Sequence, residues 1–513
     1  MSHWIIAPVI LPALLAPVIA YVMRHDIVLA RAASFVGTLV LLVLSIALMG
    51  MAAGGETLVY YLGDWPAPFG IVLVVDRLSA MMLVLTSLLG LVVLYHAAAT
   101  GWDARGRHFH ALFQFQLMGI NGAFLTGDAF NLFVFFEVLL IASYGLMIHG
   151  GGKRRLQAGL QYVVMNLAGS TLFLFALGTL YATTGTLNIA DMAVRLREIP
   201  VEDAALARVA GLLLLVVFAV KAALFPVQFW LPATYSNAPA PVAALFAIMT
   251  KVGAYAILRV HTVAYGPDVS AFGGLAGDWL LPAAVVTLAV GAFGVLGAKR
   301  LMPLLAFSVV GSMGTLMLSV AAFTPQATAA ALYYMVHSTF AAAALFLMAD
   351  LVLTRRAGGD ALTAQPATVQ NGLYAALFFG AAIAMAGMPP LSGFLGKLLL
   401  LDALRDTPGM AVSWSAILIG SLITIVGFAR AGSILFWKST AVTRPRDPED
   451  DSVLPPVHPA GLSETAGTLA VLGVLAAFTV LSGPAMTYFE ATAAQLFDYQ
   501  GYVDAVLGQE GQS

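Results

Sequence analysis

The sequence predicts an all-α polytopic membrane protein with about fourteen transmembrane helices. Of its 513 residues, 60% are hydrophobic and 10% are charged, and the mean hydropathy is +0.92, which lies outside the range of soluble globular proteins. Apolar stretches of roughly 20 residues, the length that crosses a bilayer, recur along the whole chain. Basic residues are concentrated in alternate loops between these stretches, as the positive-inside rule requires.

The predicted spans leave little of the chain for a soluble domain. They lie near 4–22, 33–52, 76–95, 108–126, 129–149, 157–183, 207–232, 241–263, 278–298, 301–323, 327–353, 371–400, 412–437 and 466–488. The first has no basic segment before it and is long enough to cross, so we expect a transmembrane helix rather than a cleaved signal peptide. The segments around 53–70 and 184–206 are expected to form short strands or surface helices.

The basic residues predict the orientation of the chain. Helices that alternate from an outer N-terminus place most of them in inner loops: Arg24, Arg31, Arg105, Arg107, Lys153, Arg154, Arg155, Lys299, Arg300, Arg355, Arg356, Lys438, Arg444 and Arg446. The outer loops keep Arg195, Arg197, Arg208 and Arg405. We therefore expect both termini on the outer side. The polar, proline-rich stretch 438–465 is expected to be a flexible inner loop.

Composition also excludes several classes of function. The chain has no cysteine, which excludes disulfides and cysteine-ligated iron–sulfur clusters. The net charge of −2 gives no reason to expect nucleic acid as a partner. The HFH sequence at 108–110 has no further ligand at metal-binding spacing. We expect no resident metal or cofactor.

A few ionisable residues fall inside the predicted spans, where each one costs about 3 kcal/mol and is a functional hypothesis by default. They are Glu137, Lys221, Lys251, Arg259, His337, Lys397 and Arg430. Asp76 and Arg77 lie at a helix start, where capping explains them. Several alternatives stay open: Glu137 in a purely structural ion pair, Arg259 reaching to the outer interface, His337 as a satisfied polar core residue, and Arg430 as a structural counter-charge.

Prolines beside two of the lysines predict breaks in helices 7 and 12. Pro226 follows Lys221 by five residues, and Pro389 and Pro390 precede Lys397. Proline has no N–H to donate, so the carbonyls one turn earlier are left free. Irregular backbone at membrane depth is tolerated only where protein or water covers it. Two broken helices with a nearby lysine, five spans apart, are typical of inverted-repeat transporters.

The third lysine belongs to a polar face. Lys251, Tyr255 and Arg259 are spaced by four residues and therefore share one side of helix 8. A polar face among apolar residues points toward the interior of a helix bundle.

These motifs resemble a known family. The sequences FNLFVFFEVLLIASYGLM, KAALFPVQFWLPATYSNAPAPVAALFAIMTKVGAY and GMPPLSGFLGK are similar to those of the antiporter-like subunits shared by respiratory complex I and Mrp-type multisubunit Na⁺/H⁺ antiporters. HSTFAAAALFLMADLV and ARAGSILFWK most resemble the D-type subunits of Mrp antiporters from proteobacteria. Lysine at 397 supports this, because one complex I subunit has glutamate there.

The resemblance implies two inverted five-helix repeats, which we assign to 108–263 and 264–437, after N-terminal helices in 1–107 and before a loop and last helix in 438–513. It implies a proton relay of Glu137, Lys221, Lys251, His337 and Lys397, in which Glu137 and Lys221 form the pair whose separation or approach changes the basicity of the lysine. It also implies partner subunits of the A, B, C, E, F and G types, in a bacterial inner membrane with periplasmic termini.

The leading hypothesis is a proton-translocating subunit of a Na⁺ or K⁺/H⁺ antiporter, a transporter and not an enzyme in itself. The alternative is a proton-pumping membrane subunit of a complex I-like NADH dehydrogenase or membrane-bound hydrogenase. A third hypothesis makes the chain a structural scaffold whose charges only pair helices. No oxygen-rich cation cage is visible in the sequence, so we expect protons here and the metal ion elsewhere.

Overall fold

The computed structural model describes residues 2–356, 359–442 and 458–508, which fold almost entirely into α-helices. Among these residues, eleven helices are long and apolar enough to cross a membrane, and Ala7–Tyr21 and Asn371–Ala386 are shorter apolar helices. The predicted all-α polytopic architecture is confirmed at this level. Most of the predicted proline-rich loop, with Arg444 and Arg446, lies outside the described residues.

The N-terminal part contains six helices and one β-hairpin. Its elements are α1 (Ala7–Tyr21), α2 (Ile27–Ala52), β1 (Leu58–Tyr61), β2 (Val72–Val75), α3 (Arg77–Ala99), α4 (Phe109–Leu125), α5 (Ala129–Met147) and α6 (Lys153–Thr184). The antiparallel strands pair Leu58 with Val75 and Tyr61 with Val72. Strand β1 lies in the segment around 53–70, which was predicted to form short strands or surface helices, and β2 begins just after that segment.

The middle part contains short and interrupted helices. Its elements are α7 (Ile189–Glu198), α8 (Ala205–Ala222), α9 (Trp230–Asn237), α10 (Ala240–Phe246), α11 (Met249–Val263), α12 (Leu275–Gly297), α13 (Leu301–Val320) and α14 (Pro325–Leu353). The short helix α7 occupies the second segment for which a surface element was expected.

The C-terminal part ends in three helices where the sequence predicted a single last span. Its elements are α15 (Asn371–Ala386), α16 (Ser392–Ala403), α17 (Met410–Gly432), α18 (Leu462–Val480), α19 (Ser482–Phe497) and α20 (Tyr499–Leu507). The last predicted span, 466–488, is wrong in its extent, since α18 ends at Val480 and α19 follows after Leu481. Both helices are apolar on the sides that pack, so composition did not reveal the boundary.

Polar caps set the starts of several helices. Asp26 accepts hydrogen bonds from the first N–H groups of α2, and Asp128 accepts one from Asn131 in α5. Asp76 and Ser79 form a reciprocal capping box at the start of α3. Such caps satisfy backbone donors that a helix cannot pair internally. The capping predicted for Asp76 is confirmed.

The core of the molecule is built around α10, α11 and α14. The apolar window of Ala240–Val263 is 100% buried, and that of Pro325–Leu353 is 89% buried. Helix α14 packs against α10, α13, α15, α16, α18 and α19. Its many alanines, including the run Ala341–Ala344, allow neighbouring backbones to approach closely. The helices that carry Lys251 and His337 are therefore enclosed by protein on all sides.

Candidate functional site

Three lysines and a histidine lie inside the bundle without acidic partners. Lys221, Lys251 and His337 are 7%, 0% and 0% exposed, and Lys397 is half-buried. Among the described residues, no carboxylate oxygen lies within 4.0 Å of the side-chain nitrogen of these three lysines. Buried lysines that are purely structural are normally paired with a carboxylate. These lysines instead use neutral hydrogen-bond acceptors.

Lys221 lies in the last turn of α8. Its Nζ donates to Oδ1 of Asn166 on α6 at 2.9 Å, and it lies 5.8 Å from the ring centroid of Phe136. A small cavity of ≈ 10 Å³ is lined by Lys221, Asn166, Trp230 and Met249, among others. That volume is close to what one water needs.

Glu137 on α5 is linked to the same helix, α6, rather than directly to Lys221. Its carboxylate accepts a short hydrogen bond from the Ser170 hydroxyl. Ser170 lies four residues after Asn166, so the two polar side chains share one face of α6. Glu137 nevertheless lies within electrostatic range of Lys221. The two predicted partners are thus held apart, each by a polar residue on α6.

Lys251 is the most enclosed of the lysines. Among the described residues, its Nζ donates a hydrogen bond to Oγ1 of Thr250 at 3.5 Å, which is a long and therefore weak contact. Its helix, α11, packs tightly against α8, because a Cβ added to Gly253 would lie 2.5 Å from the backbone nitrogen of Ala222. Glycine at this position therefore brings the segments carrying Lys221 and Lys251 together.

His337 on α14 lies between two lysines. Its Nδ1 shares a hydrogen bond of 2.9 Å with Oγ of Ser392, and both Lys251 and Lys397 act on its ring electrostatically. The other edge of the ring packs against Gly393, where an added Cβ would lie 2.8 Å from Nε2. The ring is thus fixed by the first turn of α16.

Lys397 on α16 reaches back across the break in its own broken helix. Its Nζ donates to the carbonyl oxygen of Ala386 at 2.7 Å and to Oγ of Ser421 on α17 at 2.7 Å. Ala386 is the last residue of α15, and its carbonyl is one of those expected to be freed by Pro389 and Pro390. The predicted free acceptor is confirmed, and it binds the lysine.

Both predicted helix breaks are present and have a common design. Helix α8 ends at Ala222, and Ala223 adopts a left-handed conformation with φ +55°; helix α15 ends at Ala386, and Gly387 has φ +80°. Each break places a lysine ammonium near the carboxyl end of a half-helix. Unpaired carbonyls and the helix dipole favour a positive charge there.

Arg259 corrects one expectation. It does not reach to an interface, since it is 3% exposed and forms a bidentate ion pair with Asp76, with Nη1 to Oδ2 at 2.5 Å and Nη2 to Oδ1 at 2.8 Å. The same carboxylate also accepts a hydrogen bond of 2.9 Å from the backbone N–H of Ser79. Asp76 and Arg259 are 183 positions apart in the chain, so the sequence did not reveal that they form a pair.

One end of the bundle has an open cavity of ≈ 520 Å³, lined among others by Ser236, Asn237 and Asp350. Ser236 and Asn237, the last two residues of α9, both border this space. Asp350 was not singled out from the sequence. It accepts a hydrogen bond from Trp102 Nε1 at 2.7 Å and shares one with His96 Nε2 at 3.1 Å.

Sequence reasoning also missed Asn166, Ser170 and Ser421, which bind the predicted ionisable residues. Uncharged polar residues are common in membrane helices, so their identity alone gave no signal. The available clue was that Asn166 and Ser170 are spaced by one helical turn and therefore share one face of the predicted span. Arg430 is half-buried and donates to the carbonyl of Ala298 at 2.6 Å.

Comparison with known proteins decides the family. Residues 126–426, more than half of the chain, match the model of the transmembrane region of NADH:quinone oxidoreductases and Mrp antiporters. The chain belongs to this family. It is 39% identical to the D-type subunit of a probable K⁺/H⁺ antiporter of Rhizobium meliloti, over 99% of this chain and 98% of the relative.

Further relatives agree in sequence and fold. The D-type subunit of a Na⁺/H⁺ antiporter of Bacillus subtilis is 34% identical, over 99% of this chain and 100% of the relative. A chain in the structure of the Mrp complex from a Dietzia species superposes with a TM-score of 0.89 at 30% identity, covering 99% of this chain and 100% of that one. The predicted resemblance to the D-type subunits of Mrp antiporters is confirmed. A chain of respiratory complex I from Thermus thermophilus, 23% identical, shares the fold with a TM-score of 0.78, over 96% of this chain and 99% of that one.

Proposed function

We propose that this chain is the proton-translocating subunit of a multisubunit monovalent cation/H⁺ antiporter. The observation that carries the proposal is the set of buried lysines, Lys221, Lys251 and Lys397, which hydrogen-bond to neutral groups and form no ion pair with a described carboxylate. The relatives that cover nearly the whole chain are named as D-type subunits of Na⁺/H⁺ or K⁺/H⁺ antiporters.

The contacts support a lateral order of Glu137, Lys221, Lys251, His337 and Lys397. Burial disfavours the charged form of an amine, whereas a nearby carboxylate favours it. Movement of Glu137 relative to Lys221 therefore loads or releases a proton on that lysine. The water-sized cavity beside Lys221 lies next to Met249, two residues before Lys251. Imidazole can accept a proton at one nitrogen and release one at the other, which suits His337 to the step between Lys251 and Lys397.

The architecture supports the same proposal. We assign fourteen spans and two inverted five-helix repeats, 108–263 and 264–437, because the two lysine-bearing breaks fall at corresponding places in these halves. The inner basic loops favour termini on the periplasmic side of a bacterial inner membrane. The chain is then a transporter subunit rather than an enzyme, and it works within a complex that contains the other antiporter subunits.

The test is cation-dependent proton movement by the whole complex. In everted vesicles, Na⁺ or K⁺ added to an imposed pH gradient dissipates it, and we expect Lys221→Ala to remove at least about 90% of this response, a tenfold loss that equals 1.4 kcal/mol. The matched control is Lys299→Ala, an exposed lysine of an inner loop. Both variants are compared at equal membrane abundance.

Retention of transport by Lys221→Ala would refute the relay. Loss of abundance together with transport would favour the scaffold hypothesis, and Lys221→Arg, which keeps the charge but does not release its proton, then separates the two. Under the relay hypothesis this variant assembles but does not transport. A proton-pumping subunit of a complex I-like enzyme would instead require electron transfer and no added Na⁺ or K⁺.

A further inference from the structure

The outer end of helix α11 has a polar arrangement that the relay does not use. Lys251, Tyr255 and Arg259 follow one another at intervals of one helical turn, so Arg259 lies about 12 Å outward from Lys251 along the axis. All residues of α11 are buried. Tyr502 of α20 also lies over Arg259, with its ring centroid 5.4 Å from the guanidinium carbon. A permanent positive charge is thus enclosed on the same face as a relay lysine.

The hydrogen bonds along this face stop at Arg259. Tyr255 donates its hydroxyl proton to the carbonyl of Phe124 at 2.6 Å and lies within 3.3 Å of Arg259 Nε, whose N–H it accepts. A guanidinium has only donors and does not give up a proton in a protein. The Asp76 carboxylate beyond it is held through both oxygens by Arg259 and also accepts from the Ser79 backbone.

Charge opposes the same route. A proton or a monovalent cation that moved outward from Lys251 would first meet the guanidinium end of the Arg259–Asp76 ion pair. The pair is neutral as a whole, but in surroundings of low dielectric constant its nearer, positive end opposes an approaching positive charge. Fixed positive groups exclude protons and cations from other membrane pores in this way. Asp76 orients the guanidinium. Because both of its carboxylate oxygens are bound to Arg259, it offers no free acceptor to a proton that leaves Lys251.

We propose that Arg259 is an electrostatic seal that closes the outward route from Lys251, so that a proton on Lys251 passes sideways to His337. Asp76 and Tyr255 position the seal. The inference rests on the proposed function, since it assumes that Lys251 carries a proton. It adds a barrier residue whose loss uncouples proton flow from cation exchange.

The experiment measures proton leak rather than antiport. Proteoliposomes containing the whole complex receive a pH gradient with neither Na⁺ nor K⁺ present, and the decay of the gradient is followed with a pH-sensitive dye. We expect Arg259→Gln, and the charge-free pair Asp76→Asn with Arg259→Gln, to raise the leak about tenfold or more. Asp76→Asn alone keeps the guanidinium and, as Asn, the helix cap, so its leak stays well below that of Arg259→Gln. Arg430→Gln is a control for loss of another arginine at membrane depth.

The route is tested by adding Lys251→Ala to the leaking variant. A leak through the relay then falls back to the level of Lys251→Ala alone, whereas a leak through a loosened bundle persists and overturns the proposal. If Arg259→Gln is present at normal abundance and the proton leak does not rise, the seal is also refuted. This outcome is distinct from failure of the proposed function, which the transport assay with Lys221→Ala tests separately. If Arg259→Gln does not assemble, the double variant, which leaves no unpaired charge, decides the question. Equal leaks for Asp76→Asn and Arg259→Gln would indicate a structural ion pair and overturn the seal.

Discussion

The lysine nitrogens bind oxygen atoms of neutral groups, and this choice of partner bears directly on proton transfer. Lys221 donates to an amide oxygen, Lys251 to a hydroxyl, and Lys397 to a hydroxyl and a backbone carbonyl. A carboxylate would hold an ammonium through a stronger, charge-assisted bond. Neutral acceptors orient the amine and still allow the proton to leave. The helix ends beside Lys221 and Lys397 supply a partial negative charge that is fixed in place.

The first residue-scale prediction concerns Ser421, one of the two acceptors of Lys397. Ser421→Ala leaves the ammonium with only the Ala386 carbonyl, and a lost hydrogen bond to a charged group is worth about 1.5 kcal/mol or more. We expect roughly a tenfold fall in cation-dependent proton flux at normal abundance. Thr424→Ala on the same helix serves as the control, because it removes a hydroxyl whose hydrogen bond, within the part of the chain that the structure describes, goes to the Gly420 carbonyl of its own helix. Equal effects of the two variants would show that Ser421 is not specific to Lys397.

At this scale the sequence predicted the ionisable residues but not their partners. Lys221, Lys251 and Lys397 stand out because lysine is costly within a membrane span. Asn166 and Ser421 carry no such cost, and their contacts depend on how distant helices pack. The Arg259–Asp76 pair joins positions 183 residues apart, a separation at which local spacing contains no information.

At the scale of elements, interrupted helices bring lysines and carbonyls together, and glycines permit the close packing that this needs. Gly393 in the first turn of α16 faces both the carbonyl of Ala384 and the ring of His337. The prolines predicted both breaks correctly, because the missing N–H is a local property. The end of α8 at Ala222, four residues before Pro226, was not predicted, since it depends on the left-handed turn at Ala223 and on the bond from Trp230 Nε1 to the Val220 carbonyl.

The element-scale prediction is that Gly393→Ala disrupts proton transfer through His337. The new Cβ would lie 2.0 Å from the Ala384 oxygen and 2.8 Å from His337 Nε2, so α16 and the ring must move. Overpacking of this kind costs about 1–3 kcal/mol, and a shift of about 1 Å can reduce a positioned reaction about a hundredfold. We expect cation-dependent proton flux to fall at least tenfold. The melting temperature of the complex should fall too little to account for this loss.

Gly372→Ala on α15 is the matched control, because a Cβ added there meets no side chain or packed backbone of the described residues within 4 Å. It should leave both transport and stability unchanged. If Gly393→Ala transports normally, α16 moves without displacing His337, and the close contact at the ring has no role in proton transfer.

Across the whole molecule, the ionisable residues run from helices of the first proposed repeat to helices of the second. The interior members, Lys251 and His337, are fully enclosed, whereas Glu137 and Lys397 at the two ends are half-buried in the single chain. This difference suits a lateral path whose ends adjoin neighbouring subunits. Hydropathy predicted the membrane architecture because the solvent imposes it on every span. The separate helices α19 and α20 were missed because tertiary contacts, such as that from Tyr61 to the Val506 carbonyl, hold them.

At the scale of the whole molecule, we predict that both termini face the outer side of the membrane. The assignment of every loop to the inner or outer side depends on this orientation. The sequence contains no cysteine, so a single introduced cysteine reports its own position. We expect Glu202→Cys, in an exposed outer segment, to react with a membrane-impermeant maleimide on intact spheroplasts. Lys299→Cys, in an exposed inner loop, should react only after the membrane is permeabilised. Spheroplasts with the native chain give the background. The reverse pattern would place the basic loops outside. Arg259 would then lie on the cytoplasmic side of Lys251, and the route that it closes would lead to the cytoplasm.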